Sequence, residues 1–435
     1  MSENKETAGT VGKVCVEGLF KIFGEDPQDT IRRIREGASK EQIYADTKSV
    51  AAVADVSFTV EQGEIFVVMG LSGSGKSTLI RCINRLIEPT QGRILLAGED
   101  VIGLDGEALR RLRMNKLSMV FQHFALFPHK TVAENAEYGL KVQGVPAAER
   151  RRKAIRALEQ VGLAAYADVP PHNLSGGMQQ RVGLARGLAV DPQIMLMDEP
   201  FSALDPLIRR DMQDELLNLQ QQLRMTIIFI THDLHEALRI GDRIAIMKDG
   251  RFVQMGTPEE IVARPADDYV SAFTQDVDRS RVFRANMLRR DAQALSPDTT
   301  IETALERFES LGRETLFMVD EDGRPLGVVR RHDLERGGEK TALRDSLIDD
   351  FPSAHRSQEL IELYAACSVG LPIAVVDDGG RLEGVVDPLE VFRLLAGGSG
   401  NDEQESGGDS STSNTRGGRE ADRVDPLETR RSDHG

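Results

Sequence analysis

Short, almost fully apolar runs recur through the first 250 residues. EIFVVMG (64–70), SMVF (118–121), IMLM (194–197) and IIFIT (227–231) are each four to seven positions long. That length and content suit strands buried on both faces, as in a parallel sheet covered by helices. Between the runs the apolar spacing becomes helical, as in LIRCINRLI (79–87) and RVGLARGLAV (181–190). Strands alternating with helices predict an α/β unit with a largely parallel sheet over residues 13–275.

A different pattern fills residues 283–397, where a weak duplication stands out. One copy reads TLFMVDEDGRPLGVVRRHDLE (315–335) and the other PIAVVDDGGRLEGVVDPLEVF (372–392). Both predict strand, Asp-Gly turn, strand and helix, and an amphipathic helix precedes each (ETALERFESL and SQELIELYAA). Paired units of this size stack to close a shared core. Beyond residue 397 almost no large apolar residue remains, and residues 401–435 carry nine acids against five arginines. A disordered acidic tail is expected there. The polar stretch 25–48 reads as an inserted helical loop, whose RRIREG run (32–37) suits either a contact surface or a solvated helix face.

Composition narrows the role. A chain of 435 residues needs two or three domains. No segment approaches the ~20 continuous apolar residues that span a bilayer. The start, MSENKETAGT, lacks the basic and apolar blocks of a secretion signal. Any membrane role therefore has to come through a partner. The net charge of −16 argues against nucleic acid as a partner, because phosphate backbones require a basic face. Cys15, Cys82 and Cys367 form no CxxC pair and fit reduced, buried thiols of a cytoplasmic protein.

The chemistry begins where EIFVVMG runs into Gly70-Leu71-Ser72-Gly73-Ser74-Gly75-Lys76-Ser77-Thr78. This is G-x4-G-K-S between a strand and a helix, the context in which such a loop cradles phosphates. Glycines let successive N–H groups turn toward one phosphate chain, and the helix N-terminus adds its positive end. Lys76 is expected on the β- and γ-phosphates of ATP, and the Ser77 hydroxyl on Mg²⁺. The strand IMLM delivers Asp198 and Glu199 to its C-terminal end, where parallel sheets bind ligands. Asp198 is expected to hold Mg²⁺, directly or through water, and Glu199 to act as general base on the attacking water. A second phosphate-binding helix start follows from Leu174-Ser175-Gly176-Gly177-Met178, where Ser175 and the glycine amides suit a γ-phosphate.

The LSGGM segment resembles the signature of the ABC ATPases, and that resemblance assigns further roles. It implies that Gln122, after SMVF, touches Mg²⁺ and the attacking water and abuts a permease. It implies that Ser202-Ala203-Leu204-Asp205 spans a dimer, and that His232 contacts the γ-phosphate. One phosphate loop and one signature per chain imply two copies pairing head to tail. The fold implied is a P-loop NTPase (ABC ATPase) domain with a helical subdomain over 51–277. An N-terminal strand and insertion (1–50) precede it, and an α+β tandem CBS domain (278–397) and the tail (398–435) follow. The family stacks adenine on an aromatic residue ahead of the first core strand. Phe23 fits if residues 25–48 are an insertion, and Tyr44 inside that segment is the rival.

Longer stretches narrow the resemblance. GLSGSGKSTLIRCINRLIEPTQG, MVFQHFALFPHKTVAEN, LMDEPFSALDPLIRRDMQDEL and ITHDLHEALRIGDRIAIM are similar to ATPases of glycine betaine/proline betaine importers. The implied activity is ATP-driven uptake of quaternary-ammonium osmoprotectants from the cytoplasmic face of the inner membrane. A transmembrane permease and a separate substrate-binding protein complete that assembly. An ATPase for an amino-acid importer, such as one for methionine, is the alternative. A quaternary ammonium requires an aromatic cage, and a chain with no Trp and five scattered Tyr leaves that task to partners. CBS nucleotide sites often use Ser/Thr-x-x-Asp. Here Arg330 precedes Asp333 and Asp387 precedes Glu390, so the hydroxyl is missing from both copies.

Overall fold

The computed structural model describes residues 13–122, 125–337 and 343–395; the predicted acidic tail lies outside them. The chain opens with β1 (Val14–Phe23), β2 (Val50–Val60), β3 (Ile65–Met69), β4 (Gln91–Leu96) and β5 (Glu99–Asp100). β6 (Leu117–Val120), β7 (Ile194–Asp198), β8 (Thr226–Thr231), β9 (Arg243–Lys248) and β10 (Arg251–Gly256) follow. One sheet is antiparallel, in the order β2-β1-β4-β5. The other has six strands in the order β10-β9-β3-β8-β7-β6, all parallel except β10 at its edge.

Every residue of β3, β7 and β8 is buried, which accounts for their unbroken apolar sequence. Side chains alternate between the two faces of the six-stranded sheet. Val67, Met69, Met195, Met197, Ile227 and Phe229 point to one core. There they meet α5 (Val132–Ala136), α6 (Tyr138–Val142), α7 (Ala147–Gln160), α8 (Gly176–Leu188) and α9 (Pro206–Leu223). Phe66, Val68, Leu196, Ile228 and Ala245 point to the other core, against α3 (Lys76–Ile83), α4 (Gly106–Asn115) and the antiparallel sheet. Phe58 of β2 stacks on Phe66 of β3 with ring centroids 4.9 Å apart, joining the two sheets.

The segment between β1 and β2 forms α1 (Pro27–Arg35) and α2 (Lys40–Thr47), capped by Asp26 and Ser39. Ile31, Ile34 and Ile43 pack with Phe20, Ile22 and Ala51 in a small core of their own. Arg33 pairs with Asp29 at 2.7 Å and Asp46 at 3.0 Å, so part of the RRIREG charge is neutralised within the segment. Lys40 reaches Asp249 in the β9–β10 turn at 3.1 Å and ties α2 to the main sheet.

In the C-terminal part, Thr315–Val319 pairs antiparallel with Pro325–Arg330, and Ile373–Val376 with Leu382–Val386. Phe317, Val328, Leu371 and Ala374 bury together between the two copies. The helix expected over SQELIELYAA is cut down to a 3-10 turn, Leu360–Leu363, and one α turn, Tyr364–Cys367. The Leu360 N–H, a first-turn donor with no partner inside the helix, donates to Phe283 O at 2.9 Å. Phe283, Leu360 and Leu363 then pack with Val262 of the helix Pro258–Ala263, docking the second copy on the α/β unit. All three cysteines are unpaired, and burial pushes the Cys82 thiol up to about 12.

Candidate active site

The loop between β3 and α3 turns on glycines that nothing else can replace. Gly70, Gly73 and Gly75 have φ of 151°, 80° and 108°, the left-handed side of the map. A Cβ on Gly70 would stand 2.1 Å from Met247 O, and one on Gly75 2.0 Å from Ala52 O. Gly73 faces open space, as a loop wrapped around a ligand requires. Gly75→Ala is therefore expected to lower ATP affinity by about tenfold or more and to cost ~2–3 kcal/mol of stability. Fluorescent-nucleotide titration and a thermal melt measure the two effects.

Lys76 is 4% exposed, and its Nζ donates to Gly70 O at 2.8 Å and Leu71 O at 2.9 Å. Desolvation holds its pKa below the ordinary lysine value, opposed by the charges of Glu199 and Asp198. Ser77 Oγ donates to Asp198 Oδ1 at 2.9 Å. The other carboxylate oxygen of Asp198 accepts from Arg81 at 3.3 Å. Ser72 is exposed, Thr78 is half-buried on α3, and Ser74 Oγ is buried without a hydrogen-bond partner. Tyr269 Oη, which sequence did not single out, accepts from the Leu71 N–H at 3.4 Å.

Three strand ends converge on Glu199. His232 Nδ1, just past β8, lies 3.0 Å from Glu199 Oε2, and Gln122 Nε2, just past β6, donates to the same oxygen at 3.4 Å. Glu199 itself sits at φ 49°, a left-handed conformation costing ~1–2 kcal/mol outside glycine. Its N–H donates to Ile230 O at 3.0 Å, and its carbonyl accepts from Ser202 Oγ at 3.0 Å. These bonds clamp the strained residue and aim its carboxylate at the two partners.

The turn bearing His232 is held by residues that no local motif marks. Arg209 of α9 donates to Leu204 O and to Asp233, both at 3.2 Å. One turn later, Gln213 donates to Glu236 at 3.1 Å, and the other oxygen of Glu236 accepts from the Thr231 hydroxyl. Burial raises the Glu236 pKa, against those two hydrogen bonds. Helical i, i+4 spacing of Arg209 and Gln213 is the only sequence signal for this pair.

Ser175 caps α8 by accepting from the Met178 N–H at 3.4 Å. A Cβ on Gly176 would meet nothing within 4 Å, whereas one on Gly177 would stand 2.5 Å from Ile208. α8 packs on α5, α7 and α9, and no hydrogen bond joins it to the phosphate loop among the described residues. Asp205 caps α9, accepting from Leu207 and Ile208 N–H. Phe23 ends β1 opposite Val50, two residues before Ala52, whose carbonyl covers Gly75. It is half-exposed with the Lys21 ammonium 4.7 Å from its centroid. Tyr44 lies on α2, with Lys48 over its ring. In the duplicated region, Arg330 is exposed, Asp387 accepts from the Leu389 N–H, and Glu390 is taken by Arg290 and Arg393.

A phosphate loop on a parallel sheet, with Asp198, Glu199 and His232 at neighbouring strand ends, is the site of a P-loop ATPase. Residues 53–202 match the ABC transporter family, and residues 285–337 match the CBS domain. The chain is 48% identical over 387 residues to the glycine betaine transport ATP-binding protein OpuAA of Bacillus subtilis (strain 168), covering 88% of this chain and 93% of that protein. It is 47% identical over 392 residues to the glycine betaine/carnitine transport ATP-binding protein GbuA of Listeria monocytogenes serotype 1/2a (strain 10403S), covering 89% and 98%. It is 46% identical over 391 residues to the glycine betaine/proline betaine transport system ATP-binding protein ProV of Escherichia coli (strain K12), covering 88% and 97%. The chain belongs to the ATP-binding subunits of the glycine betaine/proline betaine branch of the ABC transporters, and the amino-acid alternative falls away.

Proposed function

We propose that this chain hydrolyses ATP to drive uptake of glycine betaine- and proline betaine-type osmoprotectants. It works through a partner permease, with the solute presented by a separate binding protein. The observation that carries the chemistry is the convergence of Gln122 and His232 on the Glu199 carboxylate, beside the Ser77–Asp198 pair. Glu199 takes a proton from the attacking water as the water oxygen bonds to the γ-phosphorus and the bond to the ADP oxygen breaks. His232 orients that carboxylate and reaches the γ-phosphate. Lys76 exchanges the Gly70 and Leu71 carbonyls for phosphate oxygens.

The hard oxygens of Ser77 and Asp198, already 2.9 Å apart, together with the Gln122 amide, suit Mg²⁺. When bound, it supplies charge neutralisation across the β- and γ-phosphates. Phe23 is the adenine-stacking residue, because β1 ends there opposite Val50, two residues before the Ala52 carbonyl that covers the phosphate loop. Ser175, Gly176 and Gly177 serve the nucleotide of a second copy, for which the open face of Gly176 leaves room.

For the permease, the reading rests on a cleft of about 290 Å³ beside β6, lined by Arg110, Met114, Tyr138, Val142 and Arg186. Apolar walls with arginines suit an amphipathic segment carrying a carboxylate. In this reading the chain works at the cytoplasmic face of the inner membrane, held there by its partner; no described helix is long and apolar enough to cross a membrane. Reconstitution with the permease and binding protein in vesicles, with radiolabelled betaine outside, tests the whole reading. ATP-dependent accumulation is expected, and its loss with Lys76→Ala. Val142→Asp, at a half-exposed position, is expected to cut uptake by about tenfold or more while ATPase activity of the isolated subunit stays near wild type. Accumulation of methionine but not betaine would overturn the solute assignment.

A further inference from the structure

Ser77 and Arg81 are four residues apart on α3 and so share one face of that helix. Together they divide the Asp198 carboxylate, with Ser77 Oγ on one oxygen at 2.9 Å and an Arg81 nitrogen on the other at 3.3 Å. The Asp198 side chain is 5% exposed and that of Arg81 46% exposed. Lys76, the nearest alternative cation, is committed to two loop carbonyls. Among the described residues, Arg81 makes the one ion pair to Asp198. A buried carboxylate without a cation is costly, so this contact stabilises the site before any metal arrives.

We infer that Arg81 is a positioning residue that stands in for the metal on Asp198 and keeps free divalent cations out of the nucleotide-free site. The inference rests on the reading that Ser77 and Asp198 hold Mg²⁺, and it adds a rule for when they do so. Two positive ions compete for one carboxylate, and the guanidinium is tethered there at high effective concentration. Arg81 also repels a second, doubly charged ion through a partly low-dielectric medium. Phosphate oxygens reverse this balance, because they bring several negative charges to the far side of the metal. Metal therefore enters with the nucleotide rather than ahead of it. The half-exposed guanidinium has solvent to swing into when it is displaced.

The test uses the full-length, nucleotide-free protein and Mn²⁺ as the probe, with free Mn²⁺ read by electron paramagnetic resonance. Arg81→Met is expected to tighten Mn²⁺ binding by roughly tenfold over wild type, with Arg81→Gln behaving alike and Arg81→Lys staying near wild type. ATP affinity without metal is not expected to rise in any of the three, since losing a positive charge near the phosphates can only weaken their binding. Equal Mn²⁺ affinity in wild type, Arg81→Met and Arg81→Gln overturns the inference. So does a gain that survives in the Arg81→Met/Asp198→Asn double variant, because that metal would sit elsewhere. Should Arg81→Met fail to fold by thermal melt, Arg81→Gln carries the comparison, as it keeps a donor and drops only the charge. The underlying metal reading is checked apart from this. Asp198→Asn alone must lose the tightening of ATP binding by Mn²⁺, and if that tightening persists it is the metal assignment that fails.

Discussion

Replacing Glu199 with glutamine is expected to lower ATP turnover by ~10²-fold or more while ATP affinity stays within about twofold of wild type. Glutamine keeps the length of the side chain and can still hydrogen-bond to His232 and Gln122, which lie 3.0 and 3.4 Å away. Only the ability to accept a proton is lost. The left-handed backbone at φ 49° is no harder for glutamine than for glutamate, so folding should be unaffected. Binding and chemistry separate because Lys76, Ser77 and the loop glycines, which hold the phosphates, are untouched. An ATP-loaded dimer that cannot proceed should accumulate and elute early in size-exclusion chromatography run with ATP. Turnover close to wild type would show that another group accepts the proton.

The parts of the site that sequence made legible are those whose chemistry is local. Gly70 to Thr78 form one continuous loop and helix start, so residue type and spacing alone revealed the phosphate cradle. Why Gly75 must be glycine was not legible, since the obstacle is the carbonyl of Ala52, from a strand 23 positions earlier. Arg81 escaped notice for a related reason. On α3 it looks like any exposed helix arginine until the end of β7, two strands from β3 in the sheet, brings Asp198 to it. Arg209 and Gln213 likewise gain meaning only when α9 lies beside the His232 turn.

The alternation of strands and helices revealed the α/β unit because buried parallel strands leave an unmistakable apolar run. Pattern failed where tertiary contacts overrode helical spacing. SQELIELYAA has the right period for a helix, yet Leu360 and Leu363 pack against Phe283 and Val262 and the segment forms a 3-10 turn. Phe23 and Tyr44 were not told apart by pattern, because both are aromatic residues near a lysine and adenine contact is a matter of tertiary placement.

Mixing two inactive subunits is expected to restore activity if the site is shared between copies. In Lys76→Ala the phosphate loop lacks its ammonium; in Ser175→Arg the start of α8 is blocked by bulk and charge. Either homodimer carries its defect in both composite sites, so each should retain ~1% of wild-type turnover or less. A mixed dimer built head to tail places both defects in one site and leaves the other intact. Random pairing makes half the dimers mixed, and one working site in each gives about a quarter of wild-type activity when the sites fire independently. The geometry motivating this is that α8 is held by α5, α7 and α9, and no hydrogen bond joins Ser175 to the phosphate loop among the described residues. A second readout covers sites that fire only in concert. With Glu199→Gln added to both subunits, ATP should stabilise a dimer in the mixture through its single intact site, and should stabilise neither homodimer. A mixture that neither hydrolyses ATP nor dimerises with it would mean that Ser175 and Lys76 serve the same nucleotide from the same chain, and the head-to-tail arrangement would have to be abandoned.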